Sequence, residues 1–283
     1  MTIDLKISGI RFHIESDIAL RIEESVTPFL WDGPAMDTVN VRLLHCMRDA
    51  PIPDVPMMGE DLLLEYYLEE DRLICLTKGG SGGYLSVADC DLNGSEIRCY
   101  MHHDRAHALN TVGNLLRMIP LRMILQKRDV LFLHASQIGV RGRGILFTAP
   151  SGIGKTTQAR LWKACRDARI LCNDRTLIRN GMTYGFPVDG SEPVFSMDSL
   201  PLGAVVVLEQ STENRVRPMK TREALLRLVA QTVHDQWNGE SVSAATQQLL
   251  ELIQQFPVYL LSCTPDDRAV TCLEQQLIKD GIL

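Results

Sequence analysis

Residues 149–157 read APSGIGKTT, a stretch whose composition suits one task, the holding of phosphate. The preceding GILFTA is apolar, as a buried strand is, and the following TTQARLWKACRDA carries Ala159, Leu161, Trp162, Cys165 and Ala168 at near-helical spacing. Strand, glycine-rich loop and helix in that order aim successive backbone N–H groups and a helix N-terminus at one point, which favours an anion. Ser151, Gly152, Ile153, Gly154, Lys155, Thr156 and Thr157 are the candidate nucleotide-binding residues. Lys155 adds a positive charge for the phosphates, and Thr156 offers a hydroxyl to Mg²⁺. The usual pattern opens on glycine where Ala149 stands here. Alanine differs from glycine mainly where φ is positive or the backbone is crowded, and a strand end requires neither. The sequence therefore predicts a working loop.

Two further residues could do chemistry beside it. VLFLHASQIGV and ILFTA read as strands joined by a tight turn within RGRG. With Arg141 and Gly142 in the turn, paired residue numbers sum to 283, and His134 faces Ala149 at the mouth of the loop. A lone histidine in an apolar strand fits a packing role as well as an acid–base role. RILCND reads as a buried strand ending at Asp174. In α/β sheets ligands gather beyond the carboxyl ends of strands. A carboxylate there can bind magnesium or take a proton from an attacking hydroxyl, or it can simply start a turn. The histidines of MHH, and His107, lack a carboxylate or thiol at ligand spacing, and read as solvated or packing residues rather than metal ligands.

These groups need elements to position them. Residues 1–104 are rich in short strands broken by Gly, Asp and Asn, with LEED and DLNG as hairpin turns, and read as a mostly-β domain. Residues 105–129 read as a bridging helix kinked near Pro120. Residues 130–283 alternate apolar strands with amphipathic helices, notably REALLRLVAQTVHDQW, SAATQQLLELIQQ and DDRAVTCLEQQLIKD, which predicts an α/β domain. TLIRNGMTYGF adds a hairpin turning at Asn180 and Gly181.

Composition narrows the classes of function. A net charge of −6 without any Lys/Arg run argues against nucleic-acid binding. No apolar run reaches membrane-spanning length, and MTIDLKISGI does not read as a signal peptide, so a cytoplasmic protein without a membrane partner is expected. The eight cysteines form no C-x-x-C pair and read as reduced core thiols.

LHAS…GRGILFTAPSGIGKTT…ILCND together resembles the HPr kinase/phosphorylase family, whose P-loop core is shared with phosphoenolpyruvate carboxykinase. YGFPVDG…SLPLGAVVVLEQ…VRPMKTREALLRLV further resembles HPr-kinase-like proteins of peptide-modification clusters, including lasso-peptide precursor kinases. The resemblance spans about residues 130–275. It implies a P-loop core with a mixed sheet, preceded by a smaller mostly-β domain, and a kinase using ATP and Mg²⁺. It sets His134 on the family histidine, Lys155 on the phosphate position, Thr156 on the metal position and Asp174 on the second residue of a paired Asp-Asp that serves as general base and metal ligand. The first residue of that pair is Asn173 here. The implied acceptor is a Ser or Thr hydroxyl of a peptide or protein. A nucleotide-binding adaptor without turnover and a small-molecule (amino-acid) kinase stay open as alternatives, and the sequence does not give the oligomeric state.

Overall fold

The computed structural model describes residues 1–34, 37–46, 52–79, 83–102, 104–105, 109–187, 194 and 196–283. His103, His107 and residues 188–190 of the YGFPVDG stretch lie outside them. The chain forms two compact units, one made of Met1–Arg128 with Asp235–Ser241, the other of Asp129–His234 with Val242–Leu283.

The first unit holds strands β1 (Thr2–Ile7), β2 (Ile10–Ser16), β3 (Thr38–Cys46), β4 (Met57–Glu60), β5 (Leu64–Glu69), β6 (Arg72–Lys78), β7 (Tyr84–Asp91) and β8 (Glu96–His102). They make one eight-stranded sheet in the order β1-β2-β3-β8-β7-β6-β5-β4. Most neighbours are antiparallel hairpins, while β3 lies parallel to both β2 and β8. The turn at Ser8 and Gly9 has positive φ at both residues, as a two-residue hairpin needs. Helices α1 (Val112–Met118) and α2 (Leu121–Gln126) belong to this unit and are separated at Pro120. Proline lacks the N–H that would continue the helix. The later segment Asp235–Ser241 returns here: Trp237 stacks on Tyr66 with ring centroids 4.7 Å apart, and Arg122 bridges Asp61 and the buried Asp235.

The second unit holds β9 (Leu131–Val140), β10 (Arg143–Thr148), α3 (Lys155–Arg166), β11 (Arg169–Cys172), β12 (Arg175–Arg179), β13 (Met182–Tyr184), β14 (Ser199–Gln210), β15 (Arg215–Pro218), α4 (Thr221–Val229), β16 (Val258–Cys263) and α6 (Asp267–Lys279). Helix α5 (Gly239–Gln255) begins in the returning segment and continues into this unit. Its sheet also has eight strands. β9 pairs antiparallel with β10, β11 and β12, and β14 runs parallel to β10 and β16. Pairing of β13 with the start of β14 closes a ring through β10, β9, β12, β13 and β14. Ala159 and Trp162 of α3 and Val270, Leu273 and Leu277 of α6 pack with Phe147 in one core. Leu146, one residue away and on the opposite side of the strand, packs with Ala224 and Leu228 of α4 and Leu249 and Leu252 of α5 in another. A strand covered on both faces reads as a continuous apolar run, which is why ILFT carries no alternation.

The expected α/β class, with an HPr kinase and phosphoenolpyruvate-carboxykinase-like P-loop core, is corrected by this topology. Among the described residues the chain is strand-rich and builds two large mixed sheets of eight strands each. The apolar runs between the helices are in large part hairpin strands, among them the two hairpins that the sequence predicts. Arg141 and Gly142, and Asn180 and Gly181, adopt positive φ and return the chain antiparallel. The first sheet has as many strands as the second, in the somewhat shorter of the two units. Among the described residues no helix is long and apolar enough to cross a membrane. All eight cysteines are free thiols, with Cys75, Cys90, Cys99 and Cys172 buried.

Candidate functional site

Register places the histidine. β9 and β10 pair from Arg143↔Val140 to Thr148↔Ala135, the alignment in which residue numbers sum to 283. His134 is the next residue along, and it pairs with Arg175 of β12 on the other side. Its backbone is fixed twice: its N–H donates to the Gln231 carbonyl at 2.8 Å, and its carbonyl accepts from Thr148 Oγ1 at 2.8 Å. The ring, half-exposed, reaches Asp174 with Nε2 3.2 Å from Oδ1.

Asp174 lies between β11 and β12. The strand that follows α3 does not lie beside β10 but on the far side of β9. That placement carries Asp174 to His134. Its carbonyl accepts from the Ala135 N–H at 3.1 Å, and Ser136 Oγ donates to the carbonyl of Asn173 at 3.0 Å. The His134 hydrogen bond holds the Asp174 carboxyl below its ordinary range, against the opposing effect of burial and with help from the charges of His134, Arg175 and Lys155. Asp174 is therefore ionised at neutral pH. Asn173 is buried, whereas the Asp174 side chain is partly open to solvent. The two neighbouring positions thus face different surroundings.

The loop itself follows β10. Ala149 is fully buried in the core beneath the loop and has no left-handed backbone, so the methyl group is accommodated. Gly152 and Gly154 have φ of +81° and +128°, values that L side chains rarely adopt, and a Cβ on either would meet nothing within 4 Å. The glycines serve backbone conformation and leave their surroundings open. Ser151, Gly152 and Thr157 are exposed, and Ile153, Gly154 and Thr156 half-buried. Lys155 opens α3 and is buried at 8 % exposure. Its ammonium donates to the carbonyls of Ala149 at 2.8 Å and Pro150 at 3.4 Å. Burial pushes the Lys155 pKa down, while the Asp174 carboxylate opposes that shift. Loop, lysine, aspartate and histidine therefore form one electrostatic unit, with a basic end at Lys155 and an acid–base pair next to it.

Among the described residues, no three His, Cys, Asp or Glu side chains gather to hold a metal. Thr156 and Asp174 are hard oxygen donors of the kind magnesium takes when substrate phosphates complete its shell.

The family described as SynChlorMet cassette protein ScmC matches residues 97–279, more than half of the chain. The chain belongs to this family. No match was found among curated proteins. The matched span includes His134, the loop, Asp174 and every strand of the second sheet.

Sequence reasoning missed Arg175, whose Nε lies 3.8 Å from Asp174 Oδ2. Its adjacency to Asp174 was the available signal. It also missed Gln158, Cys263 and Thr264, which line a cavity against the loop. Only the pairing of β14 with β16 brings the last two there, and no local pattern encodes it.

Proposed function

We propose that this chain is an ATP-dependent phosphotransferase that moves the γ-phosphoryl group to a hydroxyl, a Ser or Thr side chain of a peptide or protein. The observation that carries the reading is the His134–Asp174 pair, set at 3.2 Å in the field of the loop lysine. Phosphoryl transfer asks a protein mostly for positioning and charge neutralisation. The loop amides and Lys155 bind the phosphates, and Lys155 leaves its two backbone carbonyls to do so. Thr156 and Asp174 would hold Mg²⁺, which neutralises charge on the phosphate oxygens. Asp174, ionised at neutral pH, orients the acceptor hydroxyl and takes its proton. His134 keeps the carboxylate in place. The peptide acceptor is supported by the resemblance to HPr-kinase-like proteins of peptide-modification clusters. The ScmC description names a cassette and no activity.

Single-turnover transfer from γ-labelled ATP to Ser/Thr peptides tests the reading. Asp174→Asn keeps size and removes proton acceptance, and the expected loss is about 10²–10⁴-fold, the range of a positioned acid–base group. A wild-type rate in that variant removes Asp174 from the chemistry. ATP binding without transfer to any peptide or small alcohol favours an adaptor.

A further inference from the structure

The phosphate loop has two flanks. β10, which leads into it, has β9 on one side and β14 followed by β16 on the other. His134 and Asp174 lie on the β9 flank. On the β14 flank a cavity of about 380 Å³ opens directly against Gly152, Ile153 and Gly154. Small-molecule sites are commonly about 300–1,000 Å³. Leu208 and Pro265 give its wall apolar surface, while Gln158 and Thr264 give it polar surface.

Gln158 is the unusual member. It sits one turn into α3, is 2 % exposed and forms part of the cavity wall. Its Nε2 approaches Cys263 Sγ at 3.4 Å, while its Oε1 is buried with no hydrogen-bond partner. A buried carbonyl oxygen without a donor is costly, and such groups are rare in folded proteins. The neutral thiol of Cys263 is a weak partner that leaves Nε2 occupied and Oε1 as the available acceptor. A ligand N–H in the cavity would complete it, met by a turn of the Gln158 amide that brings Oε1 to the cavity wall.

A triphosphate on the loop with its γ end toward Asp174 sends its nucleoside toward the opposite flank. We propose that this cavity seats the nucleoside and that Gln158 Oε1 accepts a hydrogen bond from the exocyclic amine of adenine, which makes Gln158 the residue that selects ATP. The inference rests on the nucleotide reading of residues 149–157 and adds the base to it. Adenine presents an N6 amine as a donor. The inosine base replaces that amine with a carbonyl, which would meet Oε1 as a second acceptor. Sites built to bond a ligand N–H reject analogues that lack it by large factors.

Calorimetric titration of the full chain with ATP, ITP and inorganic tripolyphosphate tests this. The expected order is ATP at least tenfold tighter than either of the others. Gln158→Leu abolishes the ATP preference: ATP weakens, while ITP, freed from the facing acceptor, binds at least as tightly as before, which also shows that the variant is folded. Ser211→Phe, at an exposed position on the cavity rim, weakens ATP at least tenfold and leaves tripolyphosphate unchanged. Tripolyphosphate binding as tightly as ATP would overturn the nucleoside cavity while leaving the phosphate loop intact. Equal affinity for ATP and ITP, or an ATP preference that survives Gln158→Leu, would overturn the role of Gln158. Failure of all three ligands to bind would remove the nucleotide reading and this inference together.

Discussion

Asp91 in the first sheet and Asp174 in the second both stand at strand ends, and both carboxyls lie below their ordinary range, for different reasons. Burial works against the Asp91 charge, but the N–H groups of Glu96, Ser95 and Asn93 hold it down, with the first two at 2.6 Å. That carboxylate closes the turn between β7 and β8, and its hydrogen-bonding capacity goes into backbone. Asp174 is held by the side chains of His134 and Arg175 and by the charge of Lys155. A carboxylate fixed by backbone amides shapes a turn. One fixed by side chains that can themselves shift or exchange protons is available to a substrate. A lowered pKa alone does not separate the two, whereas the identity of the partners does.

The sharpest break of this comparison is the pair of rates. Asp174→Asn loses transfer by the two to four orders given above, whereas Asp91→Ala leaves the rate of the folded protein unchanged. Equal losses would erase the distinction. Next in size, Lys155→Ala weakens ATP binding by about 1.5–3 kcal/mol, the worth of a charged hydrogen bond, read by calorimetry. Unchanged affinity would move the phosphate site elsewhere. Asp91→Ala costs about 1–2 kcal/mol of stability in urea denaturation, comparable to the loss of a helix cap. No change in midpoint would mean that the turn does not need its anchor. Smallest is a displacement along the pH axis. The depressed Asp174 group is charged throughout neutral pH and loses its charge only as pH falls through its folded value. His134→Phe removes the hydrogen bond that lowers it most, so the acid limb of the rate profile moves to higher pH. A limb that stays in place would show that His134 does not govern the carboxylate.

Local patterns in the sequence carry the parts of this site that are local in the chain. The strand–loop–helix run through Lys155, the hairpin at Arg141 and Gly142 with its register, and the break at Pro120 all follow from glycine, proline and apolar spacing. The class of fold does not, because an apolar run specifies burial on both faces and not the direction of its neighbour. GAVVVLEQ reads the same whether β14 runs parallel or antiparallel to β10 and β16. Gln158 looks like one more polar residue in an amphipathic helix. Its meaning comes from Cys263, which is 105 residues away in the chain.

The return of Asp235–Ser241 to the first unit makes that unit discontinuous. No single cut in the polypeptide yields it whole. A fragment ending at Arg128 keeps all eight strands of the first sheet but lacks the indole that covers Tyr66 and the carboxylate that meets Arg122. Gly59, whose missing side chain leaves room for Trp237 to lie against the backbone, would face a gap. The second unit is likewise interrupted, between His234 and Val242. The two halves are therefore not modules that recombination at one junction could exchange.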